Sequence, residues 1–543
     1  MSAFWQAPYA LFLVEAVLVL ATLLLRFHAA RMQQPLHRLA RHRLAPVAVT
    51  VFALGLRALL LPIEPVPTPS VHDEFSYLLS ADTFTHGRIA NPTHPMWQHF
   101  ETFHVDQLPT YGSMYPPLNG LVMAAGQAIA DAPFVGVWLS AGIMCGVLCW
   151  ALRGWFTPGW ALLAGVIAAI RLSTFSYWGN SYWGGAVAAI GGALLFGALP
   201  RLLRTSRRRD AVLMAVGAAM LANTRPYEGL VFCVFIGLLA LRHVRTLRLR
   251  VILPPACAVL LAAAIFTGYY NWRAFGSPTT LPYTVHRNMY AATSLFILGP
   301  TPPTPAYRHR EMQEFYAGWE VEVAKDARTW KGFVKNSLLK VDTWWSFFAG
   351  PVLTIPLLAF FTTWRNRKSR MLFFLFIPVM LATALVAFFQ PHDIAPATVL
   401  FYAMFVQGMR ALYRRWPHVV RAVPLVCLAM LAIRVVLGIA LPPDVAQPKT
   451  WARSSHVPLE RESLAEHILE DGGQHLVIVH YSPEHSFHAE YVSNAADIDG
   501  SPIVWARDMG EEKNGELLRY FASRKVWWLD AGTTIHLTEY RAK

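Results

Sequence analysis

An α-helical polytopic membrane protein with a small C-terminal α/β domain is the fold class that this sequence predicts, on three observations. Of 543 residues, 55% are hydrophobic and 15% charged, whereas soluble domains carry roughly 25% charged residues. Apolar runs recur from residue 8 to residue 441, and only residues 442–543 return to a soluble composition. The net charge of +14 sits in short loops between those runs rather than on one continuous basic face, so it does not indicate a nucleic-acid partner.

A helix needs about 17–25 mostly apolar residues to cross a hydrocarbon core of about 30 Å, a criterion that yields about twelve transmembrane helices. They are expected at 8–25, 45–62, 133–152, 159–175, 183–200, 210–224, 229–241, 251–269, 344–362, 371–388, 395–412 and 421–441. The loops 26–43, 201–209, 242–250, 364–370 and 410–421 hold, together with Arg153, 23 Lys/Arg and no acid. Short basic loops stay cytoplasmic, and these fall on alternate connections, so all are assigned inside. Residues 63–132, 176–182, 225–228, 270–343, 389–394 and 442–543 are then outside. The chain is expected to be a multi-pass protein of the plasma (inner) membrane: a body, 1–441, with large outer loops 63–132 and 270–343, then an extracytoplasmic tail, 442–543. The first apolar run lacks a basic n-region and is followed by Arg26 and Arg31, so it reads as an anchor with the N-terminus outside. All five cysteines lie in apolar spans, and no disulfide framework is implied. The apolar segment 117–131 would spoil the charge alternation as a further span, and is expected to lie in or dip into the outer interface.

Four charges fall inside spans: Glu15, Arg57, Arg171 and Arg434. Intramembrane ionisable residues suggest a translocation path by default, but no polar stripe connects these four. Arg57 and Arg171 are expected to snorkel to a membrane face, and Glu15 and Arg434 to pair.

The first outer loop opens with Val71-His72-Asp73-Glu74-Phe75-Ser76-Tyr77. Two adjacent carboxylates just past a membrane exit stand where the head group of a lipid-borne substrate would sit; equally, acids at a helix start favour the positive end of its dipole. Downstream come Asn91-Pro-Thr-His-Pro-Met-Trp-Gln-His-Phe-Glu-Thr-Phe-His104 and Thr110-Tyr-Gly-Ser-Met-Tyr-Pro-Pro117, too rich in aromatics, His and Pro for a flexible linker. An Asp-Glu pair just after an N-terminal span, a long loop ending in Tyr115-Pro116-Pro117, many helices and a second long outer loop together resemble the GT-C class of membrane glycosyltransferases. The similarity is to the group of protein O-mannosyltransferases and the lipid A aminoarabinose transferase.

That resemblance implies an inverting glycosyltransferase that moves a sugar from a polyprenyl-phosphate donor to an extracytoplasmic acceptor hydroxyl on a glycan, lipid or protein. It makes Asp73 the catalytic base, with Glu74 orienting it, binding the acceptor or facing a structural cation; His72 and Tyr115 border the same candidate pocket. No cofactor is required, no metal ligands are assigned, and a divalent cation is compatible with the chemistry. The leaving phosphate calls for cations and hydrogen-bond donors. Arg225, in Asn223-Thr-Arg-Pro-Tyr-Glu-Gly229, is one phosphate-binding candidate; Arg273, His286 and Arg287, at the start of the second large loop, are others. Against these roles stand an Arg225–Glu228 ion pair and snorkelling of Arg273 and Arg287 to membrane lipids. His392 and Asp393, in the turn Gln390-Pro-His-Asp393, either close the pocket with Glu228 or cap the next helix. The alternative is a transporter or flippase of lipid-linked saccharides, which inverted repeats and broken mid-membrane helices would favour; neither is visible.

In the tail, helices at about 459–470 and 511–523 alternate with strands at 475–480, 502–506 and 525–529, the pattern of a small α/β domain. Its cluster His480-x₄-His485-x₂-His488-x-Glu490 matches no standard zinc spacing, and Asp497-Ile-Asp499-Gly500 is only a fragment of a calcium loop. Both are left unassigned.

Overall fold

The computed structural model describes residues 10–25, 33–440 and 460–540. Arg26 and Arg31 of the first basic loop, and the tail residues up to 459, lie outside these. The chain divides into two compact units, one of residues 1–67, 134–265 and 330–456, the other of 68–133, 266–329 and 457–543.

A helix lies at each expected span. Five helices are long and apolar enough to cross a membrane: Pro133–Leu152, Ala186–Thr205, Leu249–Phe275, Trp330–Phe361 and Pro417–Ala440. The protein is therefore an integral membrane protein. Four of these helices outrun their expected bounds, two of them the furthest. Leu249–Phe275 continues past 269, and Trp330–Phe361 begins well before 344, because Lys331, Lys335, Lys340 and Asp342 depress the hydropathy of its first half without breaking its helical geometry. That first half is anchored by Lys340, whose buried ammonium donates to the carbonyls of Thr383 and Val386 at the end of the helix Arg367–Ala384.

Lipid-facing helices gain little from hydrophobicity against each other, so close backbone approach at small residues carries their packing. A Cβ on Gly192 would collide with the Pro396 carbonyl, and one on Gly408 with the Pro356 carbonyl. The intramembrane charges are paired differently from expectation. Glu15 and Arg171, both fully buried, meet at 3.1 Å, and Arg171 also donates to the Ala349 carbonyl at 2.9 Å. Arg434 instead lies over the Phe175 ring, 5.0 Å from its centroid. Arg57 does not snorkel: it is buried, with its guanidinium donating to the carbonyls of Gly179, Glu64 and Pro65. Buried ions persist only where partners satisfy them, which the Glu15–Arg171 pair and the three carbonyls on Arg57 supply.

In the second unit, the helix His72–Thr85 packs on the helix Leu118–Ala130 so closely that a Cβ on Gly120 would strike Ser80. The segment whose placement the apolar pattern left ambiguous thus has a protein partner. The tail forms a four-stranded sheet in the order Ile503–Arg507, His475–Tyr481, Lys525–Ala531, Ile535–Glu539. The first three strands are parallel and the last antiparallel. The central Leu476-Val-Ile-Val479 is buried throughout, as the central strand of a parallel sheet covered on both faces must be. Leu79, Phe100, Val105 and Tyr111 share a core with Leu476, Ile478 and Val504, and the Tyr111 hydroxyl donates to the Asn494 carbonyl at 2.8 Å. The tail and the first loop thus fold on one another.

Candidate active site

Asp73 sits in the first turn of the helix His72–Thr85. Its neighbour Glu74 is fully buried, and its Oε2 accepts the backbone N–H groups of Ser70 (2.9 Å) and Val71 (3.1 Å). Glu74 therefore ties down the helix start, leaving Asp73 to face the loop. The Tyr115 hydroxyl donates to Asp73 Oδ1. Two imidazoles approach the same carboxylate, His72 Nδ1 at 3.4 Å from Oδ2 and His104 Nδ1 at 3.5 Å from Oδ1, and the two Nδ1 atoms are 3.1 Å apart.

His104 reaches this position through a left-handed backbone, φ 60°, unusual for a residue with a Cβ. Its carbonyl is held there by the Ser76 hydroxyl (2.6 Å) and the Met114 N–H (3.1 Å). The Tyr115 ring stacks on Tyr77, with centroids 4.3 Å apart. Burial works to raise the Asp73 carboxyl, but the His104 and His72 rings and the Tyr115 hydroxyl outweigh it and hold it well below the usual carboxylate range. Burial, reinforced by the Asp73 charge, raises the Tyr115 phenol, so it stays a donor. The result is a fixed carboxylate anion, its side chain 17% exposed, at the start of a helix.

Phe103 and Phe315 pack against the His72 ring at 5.1 and 5.3 Å, and His488 from the tail stacks on it at 6.0 Å. Behind them, His286 is fully buried between Asp106 (Nδ1 to Oδ1, 2.8 Å) and the Tyr316 hydroxyl (Nε2, 2.7 Å). Burial, with the charge of Arg287, pushes His286 down to about 3, so it is a neutral, fully engaged ring. Arg287 Nη1 contacts both oxygens of Glu320 at 2.7 Å. Arg273, in the last turn of Leu249–Phe275, is exposed and has no ion pair among the described residues. In the other unit, Arg225 pairs with Asp393 at 2.8 Å rather than with Glu228, which is itself buried at the first turn of Pro226–Leu241. Nδ1 of His392 meets the Tyr177 hydroxyl at 2.9 Å, and Asp393 accepts the Gln390 N–H at 2.7 Å, closing its own turn.

Sequence reasoning gave no role to His104, Asp106, Tyr316 or Glu320. The tail histidines do not converge: His480 pairs with Asp508 at 2.8 Å, while His485 bonds the Ala489 carbonyl and His488 stacks on His72. Arg507, also unforeseen, is buried against Glu490 and Glu311 and donates to the Glu101 carbonyl, which knits the tail to both loop segments. Among the described residues, the group able to hold a metal ion is His72, Asp73 and His104.

No protein-family model matches the chain, and no curated protein matches it in sequence. Among solved structures, the chain is similar to ArnT from Cupriavidus metallidurans bound to undecaprenyl phosphate, with 11% identity and a TM-score of 0.49 over 89% of this chain and 92% of that one. It is also similar to the Archaeoglobus fulgidus oligosaccharyltransferase in the apo form, with 11% identity and a TM-score of 0.46 over 83% of this chain and 64% of that one.

Proposed function

We propose that the protein is a glycosyltransferase that moves a sugar from a polyprenyl-phosphate donor to an acceptor hydroxyl on the extracytoplasmic face of the plasma membrane. The observation that carries this reading is the Asp73 carboxylate, held by the Tyr115 hydroxyl and approached by the His72 and His104 rings, in the motif that resembles the GT-C class. In the reaction the acceptor oxygen attacks C1 of the sugar and its proton passes to Asp73. The bond from C1 to the phosphate oxygen breaks, and polyprenyl phosphate leaves. A neutral hydroxyl is a poor nucleophile, and general-base help is typically worth ~10²–10⁴ in rate.

Inversion at C1 follows from a single displacement, since retention needs a second carboxylate free to act as nucleophile. The adjacent acid, Glu74, is fully buried and accepts two backbone N–H groups. Arg273, exposed in the last turn of its helix, is the first candidate to receive the donor phosphate; Arg225 and Arg287 are candidates that a carboxylate already holds. Asp73→Asn keeps the shape of the side chain and removes its basicity. Turnover with a polyprenyl-phosphate sugar should fall by ~10²–10⁴ while donor affinity stays near wild type. Wild-type turnover by this variant would remove Asp73 from the reaction.

A further inference from the structure

We propose that Asp106, His286 and Tyr316 form a buried positioning relay through which the second large loop sets the His104 ring, and with it the Asp73 carboxylate, in place for transfer. The proposal rests on the reading of Asp73 as the base and assigns what aims it. His104 Nδ1 lies 3.5 Å from Asp73 Oδ1, 3.2 Å from the Tyr115 hydroxyl and 3.1 Å from His72 Nδ1. A turn of that one ring is therefore felt by each polar side chain that approaches the carboxylate. The His104 carbonyl is tied to the first loop by Ser76 and Met114, and its N–H is directed at the Tyr316 hydroxyl oxygen in the second.

Asp106 stands two residues past His104, and its Oδ1 accepts the Nδ1 proton of His286 at 2.8 Å. Nε2 of the same ring accepts the Tyr316 hydroxyl proton at 2.7 Å. A neutral imidazole carries one proton, so donation runs one way, from the His104 N–H through Tyr316 and His286 to Asp106. The chain begins at a backbone N–H, which gives up no proton, and so transmits position rather than charge. Asp106, His286 and Tyr316 are fully buried, and Asp106 Oδ2 has no hydrogen-bond partner among the described residues. Well-packed apolar side chains in place of such a set are often no less stable, so stability alone does not account for it. Backbone geometry points the same way. Tyr316 belongs to the π-helix Glu314–Trp319, a wide turn found frequently at functional sites, and it faces the left-handed His104, φ 60°. Two sparsely populated conformations meet at one hydroxyl, and strain of this kind clusters where the geometry is used. The same turn presents Phe315 to both imidazoles, 5.3 Å from the His72 ring and 5.9 Å from the His104 ring.

The test uses the full chain in membranes of a host strain lacking its own copy, which supply the acceptor. The donor is the pool of lipid-linked sugars radiolabelled in that host and extracted. Tyr316→Phe, which removes one oxygen, and Asp106→Ala should each lower kcat by ~10–100-fold, the scale of a misplacement of about 1 Å. The donor KM should stay within about twofold of wild type. Asp106→Asn should return turnover to within about threefold of wild type, because its amide oxygen still accepts the His286 N–H. In a His104→Asn background, chosen because Asn tolerates the left-handed backbone, Tyr316→Phe should cost nothing further, since it acts through the ring already removed. Wild-type turnover in both Tyr316→Phe and Asp106→Ala overturns the proposal. A loss that multiplies in the double variant, or one confined to KM, also overturns it, since either marks a role unconnected with His104. An Asp106→Asn as slow as Asp106→Ala does the same, because the charge and not the contact would then be at work. If Asp106→Ala does not fold, Tyr316→Phe and its double variant decide. Asp73→Asn keeps the two readings apart: with that variant dead, unchanged Tyr316→Phe and Asp106→Ala remove the relay and leave the base. An active Asp73→Asn removes the base, and the purpose of the relay with it.

Discussion

Arg287 places a guanidinium nitrogen on both oxygens of Glu320, each at 2.7 Å, and both side chains are largely buried. Burial raises the Glu320 carboxyl and the guanidinium pulls it back, so a donor phosphate would have to displace a carboxylate that has nowhere else to go. Arg287→Ala should therefore act mainly on stability. Leaving one buried ion unpaired costs about 3–5 kcal/mol, which thermal denaturation in detergent would register. Arg273 has no such partner among the described residues, and Arg273→Ala should raise the donor KM with little change in melting temperature, the trace of lost uniform binding. A stable Arg287→Ala with a raised donor KM would reverse the two assignments. At this scale the sequence was informative where chemistry is local. His72, Asp73 and Tyr115 stand in a recognisable motif, and the resemblance placed them together. His104 went unassigned because its role comes from a positive φ and from a carbonyl held by Ser76, 28 residues away, which no spacing rule encodes. Glu320 went unassigned for the same reason: its partner lies 33 residues back along the chain.

Helix packing in the first unit depends on where glycines permit contact. The helix Thr398–Tyr413 approaches the helix Gly350–Phe361 at Gly408, where a Cβ would overlap the Pro356 carbonyl. Backbone cannot swing away as a side-chain end can, so Gly408→Ala must separate the helices, with an expected loss of about 1–3 kcal/mol. At Gly237, within Pro226–Leu241, an added Cβ would meet no atom of the described residues within 4 Å. Gly237→Ala should be neutral or stabilising by up to about 1 kcal/mol, the helix-propensity difference. Melting temperatures of the two variants measured side by side would check the contrast, and equal shifts would show that the Gly408 contact is slack. The positions of the helices were readable from apolar runs because lipid demands long apolar stretches. What those runs hid was Trp330–Trp344, whose lysines masked a helix. The tail strands 475–480, 502–506 and 525–529 were readable as apolar runs between turns. The edge strand Ile535–Glu539 was not, being short and largely exposed.

For the whole molecule, the sidedness assigned from the basic loops can be joined to the grouping of segments in the fold. Carrying a Lys or Arg to the centre of the bilayer costs about 2.5–3.5 kcal/mol on the insertion scale, so the 23 basic residues of the loops assigned inside bias the threading strongly. The fold adds a constraint that charge alone lacks. Residues 68–133, 266–329 and 457–543 belong to one compact unit, with Tyr111 bonded to Asn494 and Asp82 to the Ala496 N–H, so all three segments must share one side of the membrane. Single cysteines at His86 and Glu512, both exposed in this unit, and at Thr246, exposed in the loop 242–250, test both arguments at once. The background should carry serine at Cys233 and Cys257, the native cysteines that are not buried. In intact cells an impermeant thiol reagent should label His86→Cys and Glu512→Cys, and should reach Thr246→Cys only after permeabilisation. Labelling of Thr246→Cys alone would invert the threading while leaving the unit whole. Labelling of only one of His86→Cys and Glu512→Cys in intact cells would break the unit itself and, with it, the stacking of the tail's His488 on His72 beside the Asp73 carboxylate.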